Sequence, residues 1–180
     1  MLKRILHGMI RRFAGSYQYD ATYLHEIIDI SAVAALKFMM FQAIAGHRDG
    51  VPTEARFAAS LAAVLSEDCG PCTQLVVDKA LKAGVAHSTI AALLRGDFKA
   101  AGQDAELAFR YGTAVSQNTP DAASLAEDAV RRFGKRGRIS LAYAVACGRV
   151  YPALKRGLGH AAACSKIKVS DEVVILKQAA

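Results

Sequence analysis

Helix starts and helix stops punctuate this chain along most of its length, and that punctuation leaves little room for a sheet. Glycine follows three apolar-periodic segments, at Gly84, Gly96 and Gly134, where a left-handed residue ends a helix without steric cost. Thr53 and Ser88 are placed to cap two starts, and Thr119-Pro120 marks a third, a cap followed by proline in the first turn. Between these marks apolar residues recur at three- and four-residue steps. The pattern predicts helices over Leu2 to Phe13, Tyr23 to Ala45, Thr53 to Leu65, Cys69 to Ala83, Thr89 to Arg95, Gln103 to Val115, Thr119 to Phe133 and Ile139 to Gly157. Only Lys166 to Leu176 has β-like composition. Much of the 53% hydrophobic content is alanine, the strongest helix former, and tryptophan is absent. The expectation is all-α: a single multi-helix domain of seven to nine helices, with no βαβ alternation and no solenoid repeat.

The formal charge of +7 is local rather than spread, since Lys3, Arg4, Arg11 and Arg12 all precede the first acid, Asp20. Residues 1–20 therefore read as a basic amphipathic N-terminal arm, packed on its own domain or on a neighbouring subunit. Residues 21–165 read as the helical domain, and 166–180 as a C-terminal tail. A nucleic-acid face would carry its Lys and Arg along one element, and no zinc-finger, RRM or homeodomain pattern occurs, so no nucleic-acid partner is expected. The most apolar stretch, Ile27 to Gly46, contains Asp29, Lys37 and Gln42, which suits a buried helix better than a membrane span. Arg11-Arg12 interrupts what would be the apolar core of a secretion signal. A cytoplasmic location follows as the expectation, with cysteines reduced unless a pair is catalytic.

The sharp chemical feature is Cys69-Gly70-Pro71-Cys72 at a helix start. Cysteines three apart share a helix face, and the positive end of the helix dipole favours a thiolate there. Pro71 suits a first-turn position because its missing N–H costs nothing, and Gly70 permits close approach by a reacting partner. Cys69 and Cys72 are thus the candidate catalytic residues; the competing reading makes them small buried apolar residues. Zinc would need four ligands, and Cys147, Cys164 and His160 are isolated, so no metal is expected and the chemistry calls for no cofactor. There is no Cys-x-x-Cys-His for haem attachment. His7, His25, His47 and His87 lack triad partners at a recognisable spacing. The tetrapeptide matches that of thioredoxin, but a thioredoxin needs a strand before the motif, and Ala58 to Leu65 reads as helix.

A helix leading into Cys-x-x-Cys, followed by "KALKAGV", "IAALLRGD", "AELAFRYGTAV" and a glycine-punctuated finish, resembles the AhpD-like superfamily, the alkylhydroperoxidase and carboxymuconolactone decarboxylase group. The resemblance covers roughly Tyr23 to Gly159. It implies a helical fold, a homo-oligomer (trimer or hexamer), a peroxide or disulfide substrate and a thiol reductant as partner. The peroxidase branch adds a proton relay: a glutamate twelve residues before the first cysteine and a histidine four after the second. Those positions hold Phe57 and Val76 here. Glu54, Glu67 and Asp68 are the acids available as substitutes. Two readings stand: a thiol-dependent peroxidase or disulfide oxidoreductase, weak or altered for lack of the relay, and a non-enzymatic, redox-responsive or partner-binding oligomer.

Overall fold

Alanine sets how closely the helices approach. In the computed structural model, which describes residues 1–160, 166–170 and 172–175, the Thr53–Leu65 helix is buried along most of its length by Ala55, Ala58, Ala59, Leu61, Ala62, Ala63 and Val64. In chain order the described residues form α1 (Leu2–Tyr17), α2 (Thr22–Ile30), α3 (Ala32–Ala45), α4 (Thr53–Leu65), α5 (Gly70–Lys82), α6 (His87–Arg95), α7 (Phe98–Ala101), α8 (Gln103–Gln117) and α9 (Ala122–Gly157). The strands β1 (Lys166–Val169) and β2 (Glu172–Ile175) pair antiparallel, with Lys166 opposite Ile175 and Val169 opposite Glu172. The fold is all-α.

The centre is α4, packed between α8 and α9. Where they cross, α8 and α9 present glycine. A Cβ built on Gly112 would lie 2.8 Å from the Ala59 carbonyl oxygen, and one on Gly148 would lie 2.8 Å from the Ala63 Cβ. Helix α5 follows α4 after a short turn and carries the hairpin on its outer side. Gln74 Nε2 donates to the Lys168 carbonyl at 2.9 Å, and Lys168 N–H donates back to Gln74 Oε1 at 2.8 Å. A second apolar cluster joins Leu6 and Ile10 of α1 to Tyr23 and Ile28 of α2 and Ala35 of α3. The segment expected as an arm thus packs on the chain's own helices.

Several boundaries and caps differ from the sequence expectation: α4, α6 and α9 are preceded by Pro52, Ala86 and Asp121, so Thr53, Ser88 and Thr119 do not cap them, and Pro120 lies ahead of α9 rather than in its first turn. The helix expected over 23–45 is broken at Ser31, which is extended (φ −148°, ψ 103°) and whose hydroxyl accepts the Ala34 N–H at 3.2 Å. A serine that caps competes with continuing the helix, so α2 and α3 separate there. Gly134 (φ 73°, ψ 175°) does break the helical backbone, as expected, but at a kink that joins two helical segments of α9 rather than at a loop. Helix resumes because Gly137 packs on the turn before α4, where its added Cβ would meet the Gly50 carbonyl at 2.8 Å, and Ser140 Oγ donates to Asp49 O at 2.8 Å. Lastly, α1 continues to Tyr17, past the expected end at Phe13. Among the described residues, no helix is long and apolar enough to cross a membrane.

Gly112→Val should destabilise the protein by about 2 kcal/mol or more through overpacking against α4, lowering Tm by roughly 4–8 °C for a chain of this size. Gly15→Ala, on an open face of α1 with nothing within 4 Å, should instead stabilise by about 0.5–1 kcal/mol. Thermal unfolding of both variants checks the pair; an unchanged Tm for Gly112→Val would contradict the close helix approach.

Candidate active site at the dithiol

Local chemistry places the first cysteine. Ser66, Glu67 and Asp68 form a tight turn after α4, with Asp68 in the left-handed region (φ 48°), and Cys69 is the extended N-cap residue of α5. The Cys69 carbonyl accepts the Thr73 N–H at 2.9 Å and the Thr73 hydroxyl at 3.0 Å, starting the helix ladder. Pro71 sits in the first turn. Both cysteines are buried and reduced, with their sulfurs 2.8 Å apart.

The surroundings favour one thiolate in the pair and oppose a second. The hydrogen-bonded Cys72 thiol, the Cys72 backbone amide and the charges of Lys155 and Arg156 bring Cys69 down to about 6, against the opposing effect of burial. Cys72 is pushed well above its ordinary value, first by its hydrogen bond with Cys69, then by burial and by the neighbouring negative charge. The dithiol therefore surrenders its first proton near neutrality and holds the second.

Four groups that the sequence did not single out complete the site. Lys155 of α9 is fully buried, and its Nζ lies 5.2 Å from the ring centres of both Tyr19 and Tyr23. Tyr19 Oη donates to Tyr23 Oη at 3.4 Å, and Tyr19 lines the same cavity as Cys72. Burial drives both phenols up, Tyr23 to about 12, so they remain neutral donors at physiological pH. Arg156 binds the Glu67 carbonyl at 2.8 Å and also its carboxylate, which Arg149 Nε engages at 2.7 Å. The Tyr19/Tyr23 spacing of four was a readable signal; Lys155 and Arg156 come from the far end of the chain and carry no local mark.

None of the substitute acids reaches the thiols as a proton acceptor. Glu67 is clamped between two arginines, which hold its carboxyl below the usual range despite its burial. Its charge is thus matched and does not oppose the thiolate. Asp68 and Glu54 are exposed.

Cys72 lines a cavity of about 390 Å³, within the range of small-molecule sites. Phe57 and Val76, the positions that the resemblance gives to relay residues, lie on its wall together with Leu75, Tyr19 and Tyr23. Cys147 also lines it, but burial raises its thiol, and its Sγ faces the Phe41 carbonyl at 3.8 Å. Cys164 lies outside the described residues. Among the described residues, no three His, Cys, Asp or Glu side chains converge as a metal would need. His7 meets His25 at 2.7 Å and Asp29 at 2.9 Å, and His160 meets Glu26 at 2.6 Å; these contacts tie α1 to α2 and the end of α9 to α2. No family model, no curated protein and no solved structure matches the chain.

Lys155→Met should raise the thiolate midpoint from about 6 by about one pH unit or more, because an opposite charge that favours the thiolate is removed. Thiolate ultraviolet absorbance against pH reads this directly. The same depressed value makes the reduced protein gain stability over a Cys69→Ser variant as pH rises from about 6 towards the ordinary 9.0, and lose it on acidification through 6. A wild-type midpoint near 9.0, or one that Lys155→Met leaves unchanged, would contradict this electrostatic account.

Proposed function

We propose that the protein is a thiol-dependent peroxidase or disulfide oxidoreductase of the AhpD-like type, working through Cys69 and Cys72. The observation that carries this reading is the paired sulfurs, 2.8 Å apart at a helix start beside a buried lysine, with one of them open to a cavity. A thiolate, not a thiol, is the nucleophile, and this environment holds one near neutral pH.

The cavity-facing sulfur is that of Cys72. The electrostatics leave the charge mainly on Cys69, so the attacking species is the minor form in which the Cys72 proton has passed to the Cys69 thiolate across the short contact. The Cys72 thiolate attacks the terminal oxygen of a hydroperoxide; the O–O bond breaks, the alkoxide takes a proton and leaves as alcohol, and Cys72 becomes a sulfenic acid. The Cys69 thiol attacks that sulfenic sulfur, expelling water and forming the Cys69–Cys72 disulfide. An external dithiol then returns two electrons by thiol–disulfide exchange. Tyr19 and Tyr23, kept neutral by burial, are placed to donate to the departing oxygen, a role the apolar Phe57 and Val76 are unable to fill. The chemistry needs neither metal nor cofactor. An outward apolar stripe on α3 (Val33, Leu36, Met40 and Ile44) supports assembly into a homo-oligomer, the trimer or hexamer that the resemblance implies. The cytoplasm is the compartment where such a dithiol stays reduced.

The second reading, a redox-responsive partner-binding oligomer without turnover, is favoured by one fact: among the described residues, no carboxylate or imidazole lines the cavity beside Cys72. Single-turnover reaction with an alkyl hydroperoxide separates the two. Cys72→Ser should lose peroxide consumption entirely, whereas Cys69→Ser should still form a sulfenic acid, trappable by dimedone, but no intramolecular disulfide. Wild-type disulfide formation without repeated turnover in the presence of a dithiol reductant would favour the second reading. Unaltered turnover in both serine variants would remove the dithiol from the mechanism.

A further inference from the structure

The cavity carries cations that the thiol chemistry does not use: Arg56 and Lys79, and the exposed Lys82. Along α5, Cys72, Val76, Lys79 and Ala83 follow one another at three- and four-residue steps, and along α4, Arg56, Ser60 and Val64 do the same; all line the cavity. Lys79 is seven residues beyond Cys72, about 10 Å along the axis at 1.5 Å per residue. Arg56 is eight residues before Val64, about 12 Å by the same measure. Because α4 and α5 are joined by the short turn before Cys69, both cations stand at the cavity end remote from the dithiol.

Two features of their environment suit an anionic ligand. Arg56 donates Nη1 to the Ala45 carbonyl at 3.1 Å and stacks 4.2 Å from the Phe57 ring centre, while its buried Nε has no hydrogen-bond partner. Lys79 Nζ donates to Gln42 Oε1 at 3.3 Å and sits 5.6 Å from the Phe13 ring centre. Neither forms an ion pair with a carboxylate among the described residues. Burial lowers both, and the Arg56 charge lowers Lys79 further, so the two cations repel each other. A buried donor left unsatisfied and two like charges in a half-dry cleft are both costly; a carboxylate bridging them would relieve both through charge-assisted hydrogen bonds. Between the cations and Cys72 the wall is apolar, with Phe13, Leu24, Phe57, Leu75 and Val76.

We propose that this cavity binds an apolar-chain carboxylate, its head group held between Arg56 and Lys79 and its chain running along α5 towards Cys72. The binding site rests on the cavity and its cations alone; that the natural ligand is a fatty-acid-like hydroperoxide, with its peroxide far from the carboxylate, rests on the thiol reading above. In that substrate the roughly 10 Å from Lys79 to Cys72 sets the distance between head group and reacting oxygen.

Calorimetric titration of the reduced, full-length protein tests the site with octanoate, against octanol as the neutral probe of the same chain. Octanoate should bind at least about tenfold more tightly than octanol. Lys79→Met and Arg56→Met should each weaken octanoate about tenfold or more while leaving octanol within about twofold. Should Arg56→Met fail to fold, Lys79→Met carries the test alone. Octanol binding as well as octanoate, no measurable octanoate binding, or Lys79→Met binding octanoate like wild type would each overturn the site. Octanoate carries no peroxide, so its binding is read apart from any thiol turnover. Failure of the peroxidase reading would therefore leave this binding intact, and failure of the binding would leave the serine-variant turnover results standing.

Discussion

The near-contact of α4 with α8 and α9 is the constraint on which the rest depends. It exists because α4 turns alanine outward at Ala58, Ala59, Ala62 and Ala63 and because Gly112 and Gly148 face it. Helices this close leave no room to slide, so the end of α4 is fixed, and Cys69 follows only a short turn later. The same packing brings the last turns of α9 alongside that turn. Arg149 and Arg156 grip Glu67 there, and Lys155 enters the interior between two tyrosines. A buried ammonium is costly to keep charged, and a thiolate nearby is the group that offsets it. Packing and electrostatics are thus one arrangement: the glycine crossings hold α9 where its cations serve the dithiol.

The site divides its labour along two helices. At the start of α5 the helix dipole, Lys155 and Arg156 favour a single negative charge on the sulfur pair. Two turns further along, Lys79 stands with Arg56 across an apolar trough. In the proposed function the sulfur end does the chemistry, and in the proposed site the cation end does the recognition. The apolar side chains at Phe57 and Val76 belong to the trough; they exclude water from the approach to Cys72 rather than move protons. Tyrosine hydroxyls that burial keeps protonated are the donors left at the sulfur end.

Much of this was legible in the sequence wherever the cause is local. Gly84 and Gly96 follow their helices in the left-handed conformation that glycine accepts, and the helix start at the dithiol follows from Pro71 and the turn before it. The all-α class follows from alanine and from the lack of period-two patterning. What escaped depends on distant partners. Ser31 splits a helix that apolar periodicity alone would have continued, because a hydroxyl cap outweighed the pattern. The break at Gly134 was legible, but not how soon helix resumes: contacts of Gly137 and Ser140 with Gly50 and Asp49 carry α9 on before Ile139. Glu67 was a reasonable substitute acid until Arg149 and Arg156, more than eighty positions later in the chain, proved to claim it. Lys155 had no sequence mark, since its meaning comes from Tyr19, Tyr23 and two sulfurs that lie near it only once the chain has folded.

The central claim is that Cys69 and Cys72 form a reactive pair rather than two inert core residues. Peptide mapping after mild oxidation with stoichiometric hydrogen peroxide, followed by alkylation of the remaining thiols, tests it most directly. The account predicts one intramolecular Cys69–Cys72 disulfide, with Cys147 still free and alkylated once the protein is unfolded. Recovery of both motif cysteines as alkylated thiols, after the same treatment, would contradict it.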